Sequence, residues 1–313
     1  MENLFSIADV SRETLEHIFN LSSRYYFPTN QLQGKNIVFA FAKPSLRTKI
    51  ATEIAINQLG WNVIHIESDV FYGWKVFSIE SEQKLNAGRE DLKDTVKNIN
   101  GWSDAIFARV FSHQTLLDIH WYAEEIKIVN ALSDEHHPMQ AITDLFTMRE
   151  VFWEGKMSVT FVGDSNNVAF SLAEILLKFW HDVRIASPVE YSFSTSKQQY
   201  LKTLANTGDG IISFLHNPIE AVKWTDFIYA DTFVSMGEEG VFDEKMSHFN
   251  WYQVNQELMS LSGKECYFMH CLPAHRGIEV NDDVMDSKHS LIYQQARNRM
   301  VTARGVFLTL FNI

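Results

Sequence analysis

An alternation of short apolar runs with helical patterns constrains this chain most strongly. The runs NIVFAF (36–41), NVIHI (62–66), DAIFARV (104–110) and IKIVNAL (126–132) form a first series. MSVTFVG (157–163), DVRIAS (182–187), IISF (211–214), DFIYA (226–230) and CYFMH (266–270) form a second. Strands separated by helices pair in parallel, because each return to the same sheet edge needs a crossover. The expectation is an α/β fold of two Rossmann-like domains with mostly parallel sheets. The first helix, SRETLEHIFNL, puts Leu15, Ile18 and Phe19 on one face, with Asp9 or Ser11 as its cap. The segment KPSLRTKIATEIAINQLG spaces Ile50, Ala51 and Ile54 as a helix does, and Gly60 ends it. MQAITDLFTMREVF aligns Ala141, Leu145, Met148 and Phe152; VAFSLAEILLKF and KQQYLKTLA follow. The last helix, QQARNRMVTARGVFLTLF, is expected to return to the first domain. No linker composition marks a join. The restart of the pattern places it near residue 135, giving domains of 1–135 with 294–313, and 136–293.

The 313 residues suit two domains. A formal net charge of -12 argues against nucleic acid as a partner. It leaves room for an anionic small molecule held by a local arginine cluster. No apolar run reaches the roughly 18 residues of a membrane span. The start, MENLFSIADVSRETL, lacks the basic-then-apolar order of a signal peptide. Cys266 and Cys271, the only cysteines, flank the strand-like YFMH. Five extended residues span about 16 Å, whereas a disulfide needs Cα atoms within about 7 Å. Two free thiols fit a reducing compartment, so a cytoplasmic protein is expected.

The polar residues sit where ligands bind in such folds, beyond the carboxyl ends of strands. Ser45, Arg47 and Thr48 follow the first strand, and Arg109 closes the third. Asp164, Asn166 and Asn167 follow MSVTFVG, Asp231 follows DFIYA, and Cys271 follows CYFMH. The turn Pro44-Ser45-Leu46-Arg47-Thr48 opens a helix, whose N-terminal N–H groups and dipole attract anions. Taken alone it is equally an ordinary capped helix, with Ser45 as N-cap and Arg47 in solvent.

With its neighbours, that turn resembles the Ser-x-Arg-Thr phosphate loop of the aspartate/ornithine carbamoyltransferase family. Six further segments match in order. The strand ending at Arg109 resembles the one carrying a second phosphate-site arginine. Asn130 to Asp134 with His137-Pro138-Met139-Gln140 resembles the HPxQ signature. Gly163-Asp164-Ser165-Asn166-Asn167 resembles the acceptor-domain turn. Asp231 to Gly237, containing Ser235-Met236-Gly237, and His270-Cys271-Leu272-Pro273 resemble motifs of the ornithine branch. Asn298-Arg299-Met300 resembles the last arginine motif.

The resemblance covers nearly the whole chain and implies the carbamoyltransferase fold, acting without cofactor or metal as a homotrimer with shared active sites. The implied reaction moves the carbamoyl group of carbamoyl phosphate to the side-chain amine of ornithine, giving citrulline and phosphate. Arg47, Arg109 and Arg299 would balance the phosphate charge, with Ser45, Leu46 and Thr48 in the same loop. His137 would reach the carbonyl oxygen and Gln140 the carbamoyl amide. Donors preorganised at such an oxygen are commonly worth about 3 kcal/mol each. Asp231 and Cys271 would lie near the amine, and Asn167, Ser235, Met236 and Leu272 would hold the rest of ornithine. Cys271 is not expected to form a covalent intermediate, since the amine can attack directly. Adjacent His136 and His137 lack a metal-ligand pattern, and GDSNN lacks the GxGxxG spacing of a dinucleotide site.

The match departs at four places. Leu46 stands where the ornithine branch usually has Thr, Lys49 where it has Arg, and Arg297 where an acidic residue usually stands. Between Asp69 and Glu90, a neighbouring subunit's Gln or His would reach the phosphate, but here Leu85 falls in that slot. The stretch resembles the longer hairpin of the acetyl- and succinylornithine branch and makes Trp74 a candidate acceptor contact. Putrescine, an acylated ornithine or another diamine therefore stay open as acceptors, as does a silent metabolite-binding relative.

Overall fold

A computed structural model describes residues 1–24, 33–66, 90–123, 125–152, 155–234 and 242–313. Its contacts divide the chain into Met1–Met139 with Arg299–Ile313, and Gln140–Asn298. The chain changes unit inside two helices, α5 (Pro138–Val151) and α12 (Ile292–Leu310). A helix running through a boundary leaves no linker composition to read.

In the first unit, β1 (Asn36–Phe41), β2 (Asn62–Ile66), β3 (Ala105–Arg109) and β4 (Lys127–Leu132) form one sheet in the order β2-β1-β3-β4. Every pairing is parallel. Crossovers come from α2 (Leu46–Gln58), α3 (Leu92–Asn100) and α4 (His113–Tyr122). The latter two are short and bury only a few side chains each, Thr95, Val96 and Ile99 in one and Leu116 and Ile119 in the other. Each starts on a capping side chain, Asp91 accepting from the Lys93 N–H and Ser112 from that of Gln114. The helix α1 (Arg12–Ser22) takes its cap from Ser11, which accepts from the Thr14 N–H at 3.1 Å. Asp9 turns instead to the Ser6 N–H.

Strand alternation gives this sheet two apolar faces. Val38, Ala40, Ile106 and Ala108 pack with Val96, Ile99, Leu116 and Ile119 in one cluster. On the other side Phe39 and Phe107 meet at 5.0 Å, and Phe107 meets Phe307 of α12 at 5.9 Å. Arg109 is two residues beyond Phe107, so it projects from the α12 side. The helix α2 turns its face from what its spacing suggests: Thr48, Thr52, Ala55 and Ile56 are buried, while Ile50 and Ile54 are 48% and 43% exposed.

In the second unit, β5 (Ser158–Val162), β6 (Asp182–Ala186), β7 (Ile212–Leu215), β8 (Phe227–Ala230) and β9 (Tyr267–His270) order as β7-β6-β5-β8-β9, again all parallel. The helices α6 (Asn167–Lys178), α7 (Thr195–Ala205) and the single turn α8 (Pro218–Ala221) link β5 to β8. Then follow α9 (Phe242–Phe249), α10 (Gln256–Ser260) and α11 (Asp282–Met285). Val162, Ile228, Ala230, Phe233, Phe249, Phe268 and Ile292 share one core. Among the described residues no helix is long and apolar enough to cross a membrane.

Gly305 lets α12 sit close against α1. A Cβ there would stand 2.5 Å from the Ile18 carbonyl oxygen, a backbone atom with little room to move. Gly305→Ala should therefore lower stability by about 1–3 kcal/mol despite Ala's better helix propensity. Urea unfolding measures this, and a gain in stability would contradict the packing.

Candidate active site

Strand order alone gathers the candidate residues of the first unit. The strands β1, β3 and β4 are neighbours, and Phe41 at the end of β1 pairs in register with Arg109 at the end of β3. The Ala42 N–H donates to the Arg109 carbonyl at 2.8 Å, and the Val110 N–H to that of Leu132 at 2.9 Å. The segments leaving these three ends carry Ser45 to Thr48, Arg109 itself and His137. The sheet's direction of growth switches between β1 and β3, the point where open α/β sheets bind ligands.

Ser45 stands at the N-cap of α2, but its hydroxyl makes no cap hydrogen bond and the first turn holds no acidic residue. That leaves the helix dipole unopposed at its positive end. Leu46 is 67% exposed, so this departure from the family pattern puts no apolar side chain among the buried arginines. Thr48 is buried and accepts from the Arg299 guanidinium, which joins α2 to α12 inside this unit. Arg109, Arg299 and His137 are 8%, 7% and 4% exposed. The His137 pKa lies well below its ordinary 6.5, first because burial penalises the cation, then because Arg299 and Arg109 repel it. Its ring is therefore neutral near pH 7 and can donate from one nitrogen without adding charge. Pro138 opens α5, its ring replacing an N–H that needs no partner there, and so sets where the helix begins after His137.

The second unit repeats the logic with β5, β8 and β9 as neighbours. Asp231, just past β8, accepts from the Asn166 amide at 2.8 Å and from the Cys271 thiol at 3.0 Å. A sulfur this close to a carboxylate is a thiol donor, not a thiolate. Asn166 also caps α6, its Oδ1 accepting from the N–H groups of Val168 and Ala169 at 3.0 and 3.1 Å. The sequence pointed to Asn167 for the acceptor. The structure puts Asn166 on Asp231 and Asn167 next to it as the first residue of α6. Asp164 in the same turn is paired with buried Lys245 of α9 at 2.7 Å, so its charge is already answered. Leu272 has φ 58, and its N–H donates to His270 Nδ1 at 2.8 Å. Gln140, wholly buried, donates to Asp144 at 2.7 Å. Ser235, Met236, Trp74 and Leu85 lie outside the described residues.

Sequence reading expected no metal. Among the described residues, Asp231, His270 and Cys271 bring donor atoms within 4.8 Å of one another, a set that could hold an ion. Each is already in a hydrogen bond: the thiol with Asp231, and His270 Nδ1 with the Leu272 N–H. Both cysteines are free.

Residues 2–150 match the description "Aspartate/ornithine carbamoyltransferase, carbamoyl-P binding domain", and residues 155–310 match the Asp/Orn binding domain of the same family. The chain belongs to the aspartate/ornithine carbamoyltransferase family. Within that family it is 36% identical over 316 residues to the catabolic ornithine carbamoyltransferase of Halobacterium salinarum, covering 100% of both chains. Its fold matches the solved ornithine carbamoyltransferase of Pyrococcus furiosus with a TM-score of 0.89 at 32% identity, covering 99% of this chain and 97% of that one. The anabolic enzyme of Campylobacter jejuni matches with a TM-score of 0.88 at 33% identity, covering 100% and 99%. The carbamoyltransferase family thus includes relatives named for both metabolic directions.

Two outcomes are expected. Arg47→Ala should abolish carbamoyl phosphate binding by calorimetry while circular dichroism stays unchanged; undiminished binding would remove Arg47 from the site. Stability should also report His137. Its pKa is lowered on folding, so the unfolded chain takes up the proton first as pH falls. The contribution is whole above about pH 6.5 and shrinks below it until the folded imidazole itself protonates, at up to about 1.4 kcal/mol per pH unit. Urea unfolding between pH 7 and 5 should be less steeply pH-dependent in His137→Asn than in the parent.

Proposed function

We propose that this protein transfers the carbamoyl group of carbamoyl phosphate to the side-chain amine of L-ornithine, forming L-citrulline and phosphate. One observation carries the reading: two buried guanidinium groups, Arg109 at the end of β3 and Arg299 on α12, act on a neutral, buried His137 just before α5. Buried cations beside each other are costly unless an anion joins them. A phosphate with about two negative charges answers that cost, helped by the uncapped start of α2 with Ser45, Arg47 and Thr48. Support for the acceptor comes from the names of the relatives above and from the Asp231–Cys271–Asn166 group.

The roles follow from charge. Attack by the amine turns the carbamoyl carbonyl into an oxyanion, and a neutral imidazole N–H at that oxygen stabilises it. Gln140 takes the carbamoyl NH2. The C–O bond to phosphate then breaks, and in the balanced reaction the proton lost by the amine ends on phosphate. A free alkyl ammonium has a pKa near 10.4, so the neutral amine is scarce at pH 7. Asp231, steadied by the Asn166 amide and the Cys271 thiol, orients it for attack. Asn167, Leu272, Ser235 and Met236 complete the acceptor contacts.

The exposed Leu46, Ile50, Ile54 and Ile64 of the first unit support self-association, and we assign a homotrimer with shared sites. Two free thiols support a cytoplasmic setting.

Incubation with carbamoyl phosphate and a panel of ornithine, N-acetylornithine, N-succinylornithine and putrescine tests the reading. Citrulline should form with kcat/KM for ornithine at least about 100-fold above the other acceptors. Preference for an acylated ornithine or putrescine would reassign the acceptor, and no product from any of them would refute transfer.

A further inference from the structure

A buried chain of polar groups runs from Gln140 to the end of β9, all within the second unit. Gln140 Nε2 donates to Asp144 Oδ1 at 2.7 Å, one turn along α5. Gln295 of α12 donates its Nε2 to the same Oδ1 at 2.7 Å and to the Tyr229 hydroxyl oxygen at 3.0 Å. Its Oε1 accepts from the His270 peptide N–H at 3.1 Å. Burial, and then the nearby Asp144 carboxylate, hold the Tyr229 hydroxyl in its protonated form. None of these five residues is more than 1% exposed.

Chemistry fixes the sense of every bond. A carboxylate only accepts, so each amide must face Asp144 with its NH2 end. For Gln295 the other end meets a peptide N–H, which only donates, and the two demands agree. For Gln140 the same logic leaves Oε1 as the outward end. That oxygen is buried and has no hydrogen-bond partner among the described residues. A buried lone acceptor is unfavourable until a donor reaches it. The carbamoyl NH2 is such a donor. The opposite amide orientation fails at both ends, setting oxygen against carboxylate and NH2 against NH2.

We propose that Asp144 and Gln295 are positioning residues: Asp144 locks the Gln140 amide with its oxygen toward the carbamoyl NH2, and Gln295 ties the same carboxylate to the backbone just before Cys271. The carbamoyl end and the acceptor end are then set by one hydrogen-bond network. This rests on the carbamoyl phosphate reading above.

Inorganic phosphate, which lacks the carbamoyl NH2, separates this role from a general structural one. In Asp144→Asn the new amide can donate to Gln140, so the glutamine is free to turn. Calorimetry should show carbamoyl phosphate binding weakened about tenfold or more, with phosphate affinity within about twofold of the parent. In Gln140→Glu/Asp144→Asn the carboxylate accepts from the introduced amide and again presents an acceptor outward, so carbamoyl phosphate binding should recover by at least about threefold. Equal weakening toward both ligands, or no weakening, overturns the proposal. Should Asp144→Asn fail to fold by circular dichroism, Gln295→Met decides. It should raise the KM for ornithine about fivefold with carbamoyl phosphate affinity unchanged, and a rise in both or in neither overturns the proposal. The binding arm needs no acceptor. A parent protein that discriminates between the two ligands but forms no citrulline would sink the ornithine reading and leave the positioning role standing.

Discussion

Two guanidinium groups held more than nine-tenths out of water beside a buried imidazole set the terms for everything else in the first unit. The effective cost of each buried charge is several kcal/mol. A dianion about 4 Å from each guanidinium returns energy of that size, roughly 4 kcal/mol per unit charge at an effective dielectric of 20. An anionic ligand is therefore favoured there. Burial first, and repulsion by the two guanidinium groups second, keeps His137 neutral.

Sheet topology is what makes the arrangement attainable. In each unit the first strand is laid down, the next strand or two go to one side, and the chain then switches to the other side. Parallel strands all end at one edge, so residues far apart in sequence meet there without long loops. The first unit gathers Ser45, Arg47 and Thr48 with Arg109 and His137, and the second gathers Asn166, Asp231 and Cys271. The repetition divides the labour. On the proposed reading, one unit would take the negative charge with arginines and a helix start, and the other would take the amine with a carboxylate that accepts from an amide and a thiol.

The strands and the strand-end residues were legible because apolar runs of five or six residues followed by Ser, Arg, Asp or Cys leave little ambiguity. The face of α2 was not, because Ile50 and Ile54 have the spacing of core residues while the helix buries Thr48, Thr52, Ala55 and Ile56 instead. The helices α3 and α4 were hidden for the opposite reason, being short and held by caps and packing more than by a long apolar stripe. Asn166 could have been found from sequence: it precedes the helix VAFSLAEILLKF where a capping side chain belongs, and a cap leaves its amide nitrogen free to reach a neighbour. Asp144, Gln295 and Tyr229 could not. Each looks ordinary in its own helix or strand, and only the fold brings them onto one carboxylate.

A crystal structure of the protein with bound phosphate tests the central claim most directly. A single phosphate should lie within hydrogen-bond reach of Arg109, Arg299 and the Ser45–Thr48 turn at once, with donor distances of about 2.7–3.1 Å. Phosphate found away from these groups, or touching only one arginine, would contradict it.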